Sequence, residues 1–284
     1  MGRIYLILWA LLSMLGASAA GAIASDTAPL AVVQCSLRAR QLVHEQKTEK
    51  AIELLTEVLR RFPDSAELLV RRGQIFTFID KDAAACADFE RALQSSNLNP
   101  EQCSVMIAAL IDIENFDLAL KVYAKGKSLA GNPKQRAVFL YQAGCLLRRV
   151  DRRPEAALVL VECNRLQPVN LDFWEELIIL YSDLQKWDLV ISTTKSFEKS
   201  NKAAQNVEKR SGLARIYDRR GTAYMYKKQY HEAIADFTKA SAISPLSVSF
   251  FRKRAECYGK LGDSLAQKRD DKKADEIVKS FLEK

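Results

Sequence analysis

Apolar residues along this chain recur at i, i+3, i+4 and i+7 in stretches of a few turns, each stretch ended by a short polar segment. Leu68–Phe78, the polar Ile79-Asp80-Lys81-Asp82 and then Ala83–Leu93 show the pattern. That spacing turns one face of a helix toward a core. Runs of alternating β-branched residues are absent, as are hairpin dipeptides such as Asn-Gly, so the mature chain reads as helical throughout. The pairs of stretches also repeat. Starting from Ala39, equivalent sites fall at Gly73, Ile107, Gly144, Ile178, Gly221 and Ala255, in steps of 34, 34, 37, 34, 43 and 34 residues. A period of this length is the mark of stacked helical hairpins, each burying its apolar face against its neighbours. Seven helical pairs are predicted, starting near residues 32, 66, 100, 137, 171, 214 and 248.

The clearest unit is 214–247, where Tyr217, Gly221, Tyr224, Ala233, Phe237, Ala240 and Pro245 occupy places four, eight, eleven, twenty, twenty-four, twenty-seven and thirty-two. Small residues at eight, twenty and twenty-seven let two helices approach closely, large ones at four, eleven and twenty-four fill the gaps, and the proline stops the second helix. This set resembles the tetratricopeptide repeat, which implies an all-α, α-α superhelix of about seven helix-turn-helix repeats. Other units follow it. Place twenty reads Ala51, Ala85, Ala119, Ala156, Val190, Ala233 and Gln267, and place twenty-four reads Leu55, Phe89, Tyr123, Leu160, Thr194, Phe237 and Asp271. Asp271, with Lys268, Arg269, Lys272 and Lys273 around it, marks a final helix that faces water as a cap.

Residues 1–24 stand apart from the repeats: Arg3, an apolar run from Ile4 to Leu15 and small residues up to Ala24 have the layout of a secretory signal peptide cleaved after Ala24. The expected organisation is therefore 1–24 signal peptide, 25–200 repeats one to five, 201–213 a polar joint or insertion, and 214–284 repeats six and seven with the polar capping helix. Localisation follows as exported, to a periplasm, an extracellular space or a secretory lumen. The alternatives are an uncleaved N-terminal membrane anchor, with a basic face on anionic lipid, and a cytosolic co-chaperone. The net charge of +8 is gathered in the last third, where residues 195–284 carry 21 Lys and Arg against 12 Asp and Glu. An excess of this kind suits nucleic acid, an anionic membrane surface or an acidic protein segment, and export removes nucleic acid from the set.

Chemistry is sparse. The two histidines, His44 and His231, fall in different repeats, and there is no Gly-rich phosphate loop, no Gly-x-Ser-x-Gly elbow and no Cys-x-x-Cys. No catalytic residue, metal site or cofactor is predicted, and the chain reads as a non-enzyme. Six cysteines in an exported chain raise the question of disulfides. Cys35, Cys103 and Cys163 occupy interior places of the repeat, which favours small core residues; if a bridge exists, Cys86 with Cys103 is the first candidate and Cys145 with Cys163 the second.

The resemblance also implies a binding surface, because such repeats line a concave groove with first-helix places two, five, six, nine, twelve and thirteen. Carried over, the sixth and seventh units place Arg215, Arg219, Tyr226, Arg252, Lys253 and Lys260 there as a candidate peptide-binding groove. Arginines beside a tyrosine suit an extended acidic peptide segment of a protein partner or a C-terminal carboxylate. The fifth unit places Asp172, Glu175, Glu176 and Asp183 in the same row, so the groove is expected to change sign along its length.

Overall fold

The structure, a computed structural model, describes residues 30–200 and 210–282. The expected signal segment and most of the expected joint, residues 201–209, lie outside the described residues. Fourteen helices run through the described residues, and no strand is among them. They form seven antiparallel pairs: α1 (Leu30–His44) and α2 (Thr48–Arg61), α3 (Ala66–Phe78) and α4 (Asp82–Gln94), α5 (Pro100–Asp112) and α6 (Phe116–Gly126), α7 (Pro133–Arg149) and α8 (Arg153–Leu166), α9 (Leu171–Asp183) and α10 (Trp187–Ser200), α11 (Arg210–Tyr226) and α12 (Tyr230–Ile243), α13 (Val248–Lys260) and α14 (Ser264–Leu282).

Two compact units divide the chain between Pro63 and Asp64. The described part of the first is the α1–α2 hairpin, closed by Val32, Cys35, Ala39 and Leu42 against Ala51, Leu55 and Leu59. The second holds the remaining six pairs. Within it, first helices pack on the first helices of the next pair, and second helices such as α8, α10 and α12 also touch the following first helix. Each hairpin therefore completes its core with its neighbour.

Every hairpin turns in the same way. One residue in each turn has positive φ: Gln46, Asp80, Glu114, Asp151, Gln185, Lys228 and Gly262. The next residue's N–H returns to a carbonyl of the first helix's last turn, as in Lys81 to Phe76 (2.9 Å), Arg152 to Leu147 (2.8 Å) and Gln229 to Tyr224 (2.8 Å). This is the six-to-one bond of a Schellman close. Six of the seven positions lack the glycine that normally signals it, so the turn is imposed by packing of the two helices and not by local preference.

The interleaving of small and large residues is direct. A Cβ added to Gly73 would stand 2.5 Å from the Phe89 ring, one on Gly144 2.6 Å from Leu160, and one on Gly221 2.8 Å from Phe237. These are places eight and twenty-four, as the pattern requires. The fifth pair exchanges volumes: Thr194 is small at place twenty-four and bonds the Val190 carbonyl at 2.8 Å, while Phe197 is large at place twenty-seven and meets Trp174 edge-on at 6.2 Å. Total volume is kept, which a core tolerates.

The fourth and sixth pairs begin four residues before their expected starts, near 137 and 214, because the extra residues there lengthen the first helix. α7 and α11 each run 17 residues, against 13 for α3, α5, α9 and α13. α7 opens on a capping box in which Asn132 accepts from the Gln135 N–H at 2.9 Å and Gln135 accepts from the Asn132 N–H at 3.2 Å, with Pro133 at the first helical position. Asn99, Pro100 and Gln102 do the same for α5.

Candidate functional site

The first helices of the second unit present a row of side chains whose character changes in register with the repeats. At the N-terminal side polar groups of neighbouring helices join: Gln102 donates to Glu67 at 3.1 Å and Gln135 to Glu101 at 3.3 Å. Val105, Ala108 and Ile111 of α5 and Val138 and Tyr141 of α7 follow as a half-buried apolar stretch. Tyr141 packs on Phe173 of α9 with ring centroids 5.0 Å apart, and burial pushes its phenol well above the usual tyrosine range.

The acidic step comes next. Glu175 and Glu176 of α9 are buried, which needs compensating charge. Arg148 of α7 donates through Nε to Glu176 at 2.6 Å, and Arg215 of α11 reaches Glu175 with both Nε and Nη2, the latter at 2.9 Å. The hydrogen bond to Glu175 holds Arg215 more firmly protonated. At Arg148, burial works against the charge and the Glu176 carboxylate outweighs it. Each buried acid is thus bound by an arginine from the adjoining pair.

The six residues expected in the basic part of the groove separate into four groups. Arg215 and Lys253 are bound between first helices, Lys253 donating to Asp218 at 2.7 Å and to Thr222 at 3.2 Å. Arg252 turns toward its own second helix, donating to Asp271 at 3.1 Å and Asp275 at 2.6 Å. Arg219 is half-buried and Lys260 exposed, and neither makes an ion pair among the described residues. Tyr226 lies with two-thirds of its surface exposed (66%) and stacks on Trp187 of α10 at 4.3 Å with planes 6° apart.

A second set of charges lies inside the hairpins, and the pattern of small and large residues does not disclose it. Arg72 grips Asp88 through two hydrogen bonds of 2.8 and 2.7 Å, Arg220 grips Asp236 at 2.7 and 2.8 Å, and Arg254 grips Asp270 at 2.6 and 2.9 Å. The three pairs occupy places seven and twenty-three of the second, sixth and seventh units. An arginine and an aspartate sixteen residues apart at fixed places is the signal that could have found them. Arg220 also binds Glu198 of α10 at 2.7 and 2.9 Å. Burial pushes Glu198 up, but Arg220 and Lys239 together hold it below the usual glutamate range. These forks lock a second helix to its first and, through Glu198, one pair to the next.

All six cysteines are unbridged thiols, including Cys86, Cys103, Cys145 and Cys163. Cys163 donates to the Ala137 carbonyl at 3.1 Å, and Cys86 accepts from Asn115 at 3.2 Å. Burial pushes Cys103 and Cys257 up to about 12. His44 and His231 are both exposed. No helix among the described residues is long and apolar enough to cross a membrane.

Repeated antiparallel helix pairs, interleaved by small and large residues and presenting a row of first-helix side chains, define a helical-repeat interaction protein. The chain carries tetratricopeptide repeats: family models for this repeat match residues 37–100 and 214–247. A comparison with curated proteins finds no match. Similar solved structures include a MamA RS-1 double mutant, 16% identical, covering 65% of this chain and 97% of that chain at a TM-score of 0.54. MamA from Desulfovibrio magneticus RS-1, taken from residue 41 to its end, covers 64% of this chain and 96% of its own at 16% identity and a TM-score of 0.52. A further MamA crystal structure, also 16% identical, covers 64% of this chain and 95% of its own, with a TM-score of 0.53. At this identity the likeness is one of fold. A chain of these repeats is a protein-interaction scaffold.

Proposed function

We propose that this is an exported, non-catalytic scaffold whose first-helix groove binds a protein partner through an acidic peptide segment at the C-terminal repeats. The observation that carries the reading is the ladder of carboxylate and cation pairs along the first helices of α7, α9, α11 and α13. Arg148–Glu176, Arg215–Glu175 and Lys253–Asp218 tie up three cations of that row, while Arg219, in the middle of α11, meets no carboxylate among the described residues. An incoming carboxylate meets Arg219 directly and competes with Asp218 for Lys253, an exchange of one charge-assisted bond for another. The paired arginines fix the rows in register. Export rests on the N-terminal layout of Arg3, the apolar run and the small residues up to Ala24.

Two measurements test this reading. N-terminal sequencing of the chain recovered from its cells should begin near Ser25; a chain that still begins at Met1 and sediments with membranes supports the anchored alternative instead. Affinity capture with the mature chain, repeated with an Arg219→Glu, Lys253→Glu variant, should lose the acidic partner. Equal recovery by both chains refutes the basic groove.

A further inference from the structure

The hairpin turns of the second unit follow one another at a constant place in the repeat, so the turns of the fifth, sixth and seventh pairs share one edge. Two contacts join the turns of the fifth and sixth pairs. Trp187, at the start of α10, stacks on Tyr226, at the end of α11, and Lys227 pairs with Asp188. Lys260 holds the same place in the seventh pair that Tyr226 holds in the sixth; the repeat pattern counts both with the groove, but each is the last residue of its first helix and adjoins the hairpin turn.

This edge differs from the groove in where its charge goes. In the groove, Arg148, Arg215 and Lys253 are each held by a carboxylate. On the edge, Lys186, Lys228 and Lys260 are exposed and make no ion pair among the described residues. The acids beside them are occupied, Asp188 by Lys227 and Asp263 by the Ala266 N–H at 2.9 Å, where it caps α14. Beside Lys186 lies a shallow depression of about 270 Å³, lined by Gln185, Lys186, Trp187, Asp188, Leu189 and Lys227. Tyr226 rests one ring face on Trp187, and with 66% of its surface exposed it presents the other face outward.

We infer that this turn edge is a docking surface separate from the groove, and that it takes an acidic segment of a partner protein carrying an aromatic side chain. The lysines supply the charge complement to carboxylates. The open face of the Tyr226 ring supplies a platform for an aromatic ring, which stacks on it in an offset arrangement. Lysine ammonium groups on flexible stems suit a segment whose carboxylates have no fixed spacing, whereas the planar arginine forks of the interior demand one geometry.

The test uses the full chain and a dye-labelled synthetic peptide of glutamates around one central phenylalanine, titrated by fluorescence anisotropy. Reversal of the edge by Lys186→Glu, Lys228→Glu and Lys260→Glu together should weaken binding about tenfold or more. Tyr226→Ala should weaken it by roughly three- to tenfold, and Tyr226→Phe, which keeps the ring, should retain it. On Arg219→Glu, which removes the groove's own hold on acidic segments, the fall in affinity caused by Tyr226→Ala should persist. The triple variant changes exposed side chains only, and its helical circular dichroism should match the parent. Unchanged affinity in the triple variant overturns the proposal. So does loss of binding on Arg219→Glu alone, which assigns the peptide to the groove, and so does absence of binding to the parent chain. If phosphatidylserine vesicles bind the parent and not the triple variant while the peptide binds neither, the edge is a lipid contact and the proposal fails. Failure here leaves the groove reading standing, since that depends on Arg219 and Lys253.

Discussion

At the scale of single residues, the smallest and the charged positions hold the fold together for different reasons. Gly73, Gly144 and Gly221 are there because nothing larger fits over Phe89, Leu160 and Phe237. Gly73→Ala and Gly221→Ala should each destabilise the chain by about 1–3 kcal/mol through overpacking. Urea unfolding measures this, and unchanged midpoints would show that the rings yield without strain. Arg220 is 5% exposed between Asp236 and Glu198. Arg220→Met should cost roughly 3–5 kcal/mol, because it abandons Asp236 in the core, while adding Asp236→Leu should recover much of the loss. The same site sets a pH dependence. Glu198 is held below its unfolded value, so its contribution is complete above the ordinary glutamate range and is lost as pH falls through the lowered one. The parent should therefore lose stability on acidification more steeply than Glu198→Gln, as thermal unfolding at neutral and acid pH will show.

At the scale of elements, the hairpin turn is the recurring device, and most of its sequence signals are missing. Glu114 (φ 56°) and Gln185 (φ 54°) occupy a backbone region that suits glycine. Glu114→Gly or Gln185→Gly relieves that strain, offset in part by the greater freedom of glycine in the unfolded chain. Each should raise stability by up to about 1 kcal/mol, read as a higher melting temperature. A fall would mean that the side chain itself supports the turn. Helix starts are more legible: Asn99-Pro100-Glu101-Gln102 and Asn132-Pro133-Lys134-Gln135 are capping boxes with proline at the first helical place. The second of these explains why the fourth pair begins a turn early, which the interior places alone do not disclose.

At the scale of the whole molecule, stability passes between neighbours and protection is set by who has one. α14 packs on α13 and ends the described chain with Val278, Phe281 and Leu282 exposed beyond the buried Ile277. Hydrogen exchange should therefore be fastest at the last turn of α14 and slowest in helices flanked on both sides, such as α5, α7 and α9. Uniform protection across α7 to α14 would mean that the second unit opens as one cooperative block. Function at this scale is interaction, and its specificity lies in side chains that the repeat itself leaves free to vary.

What the sequence determined alone is the periodic part. Small residues at places eight and twenty with a large one at twenty-four recur in most repeats, and spacing is enough to reveal them; the structure then sets Gly221 against Phe237. What only the tertiary structure decided is the fate of each charge. Arg215, Arg252 and Lys253 read alike along the chain, yet they meet Glu175, Asp271 with Asp275, and Asp218 respectively. Arg219 and Lys260 meet no carboxylate among the described residues. Packing within a repeat depends on separations that are constant along the chain. Pairing between repeats depends on side-chain reach across a gap whose length varies with each insertion, and so it is settled only when the helices stand next to one another.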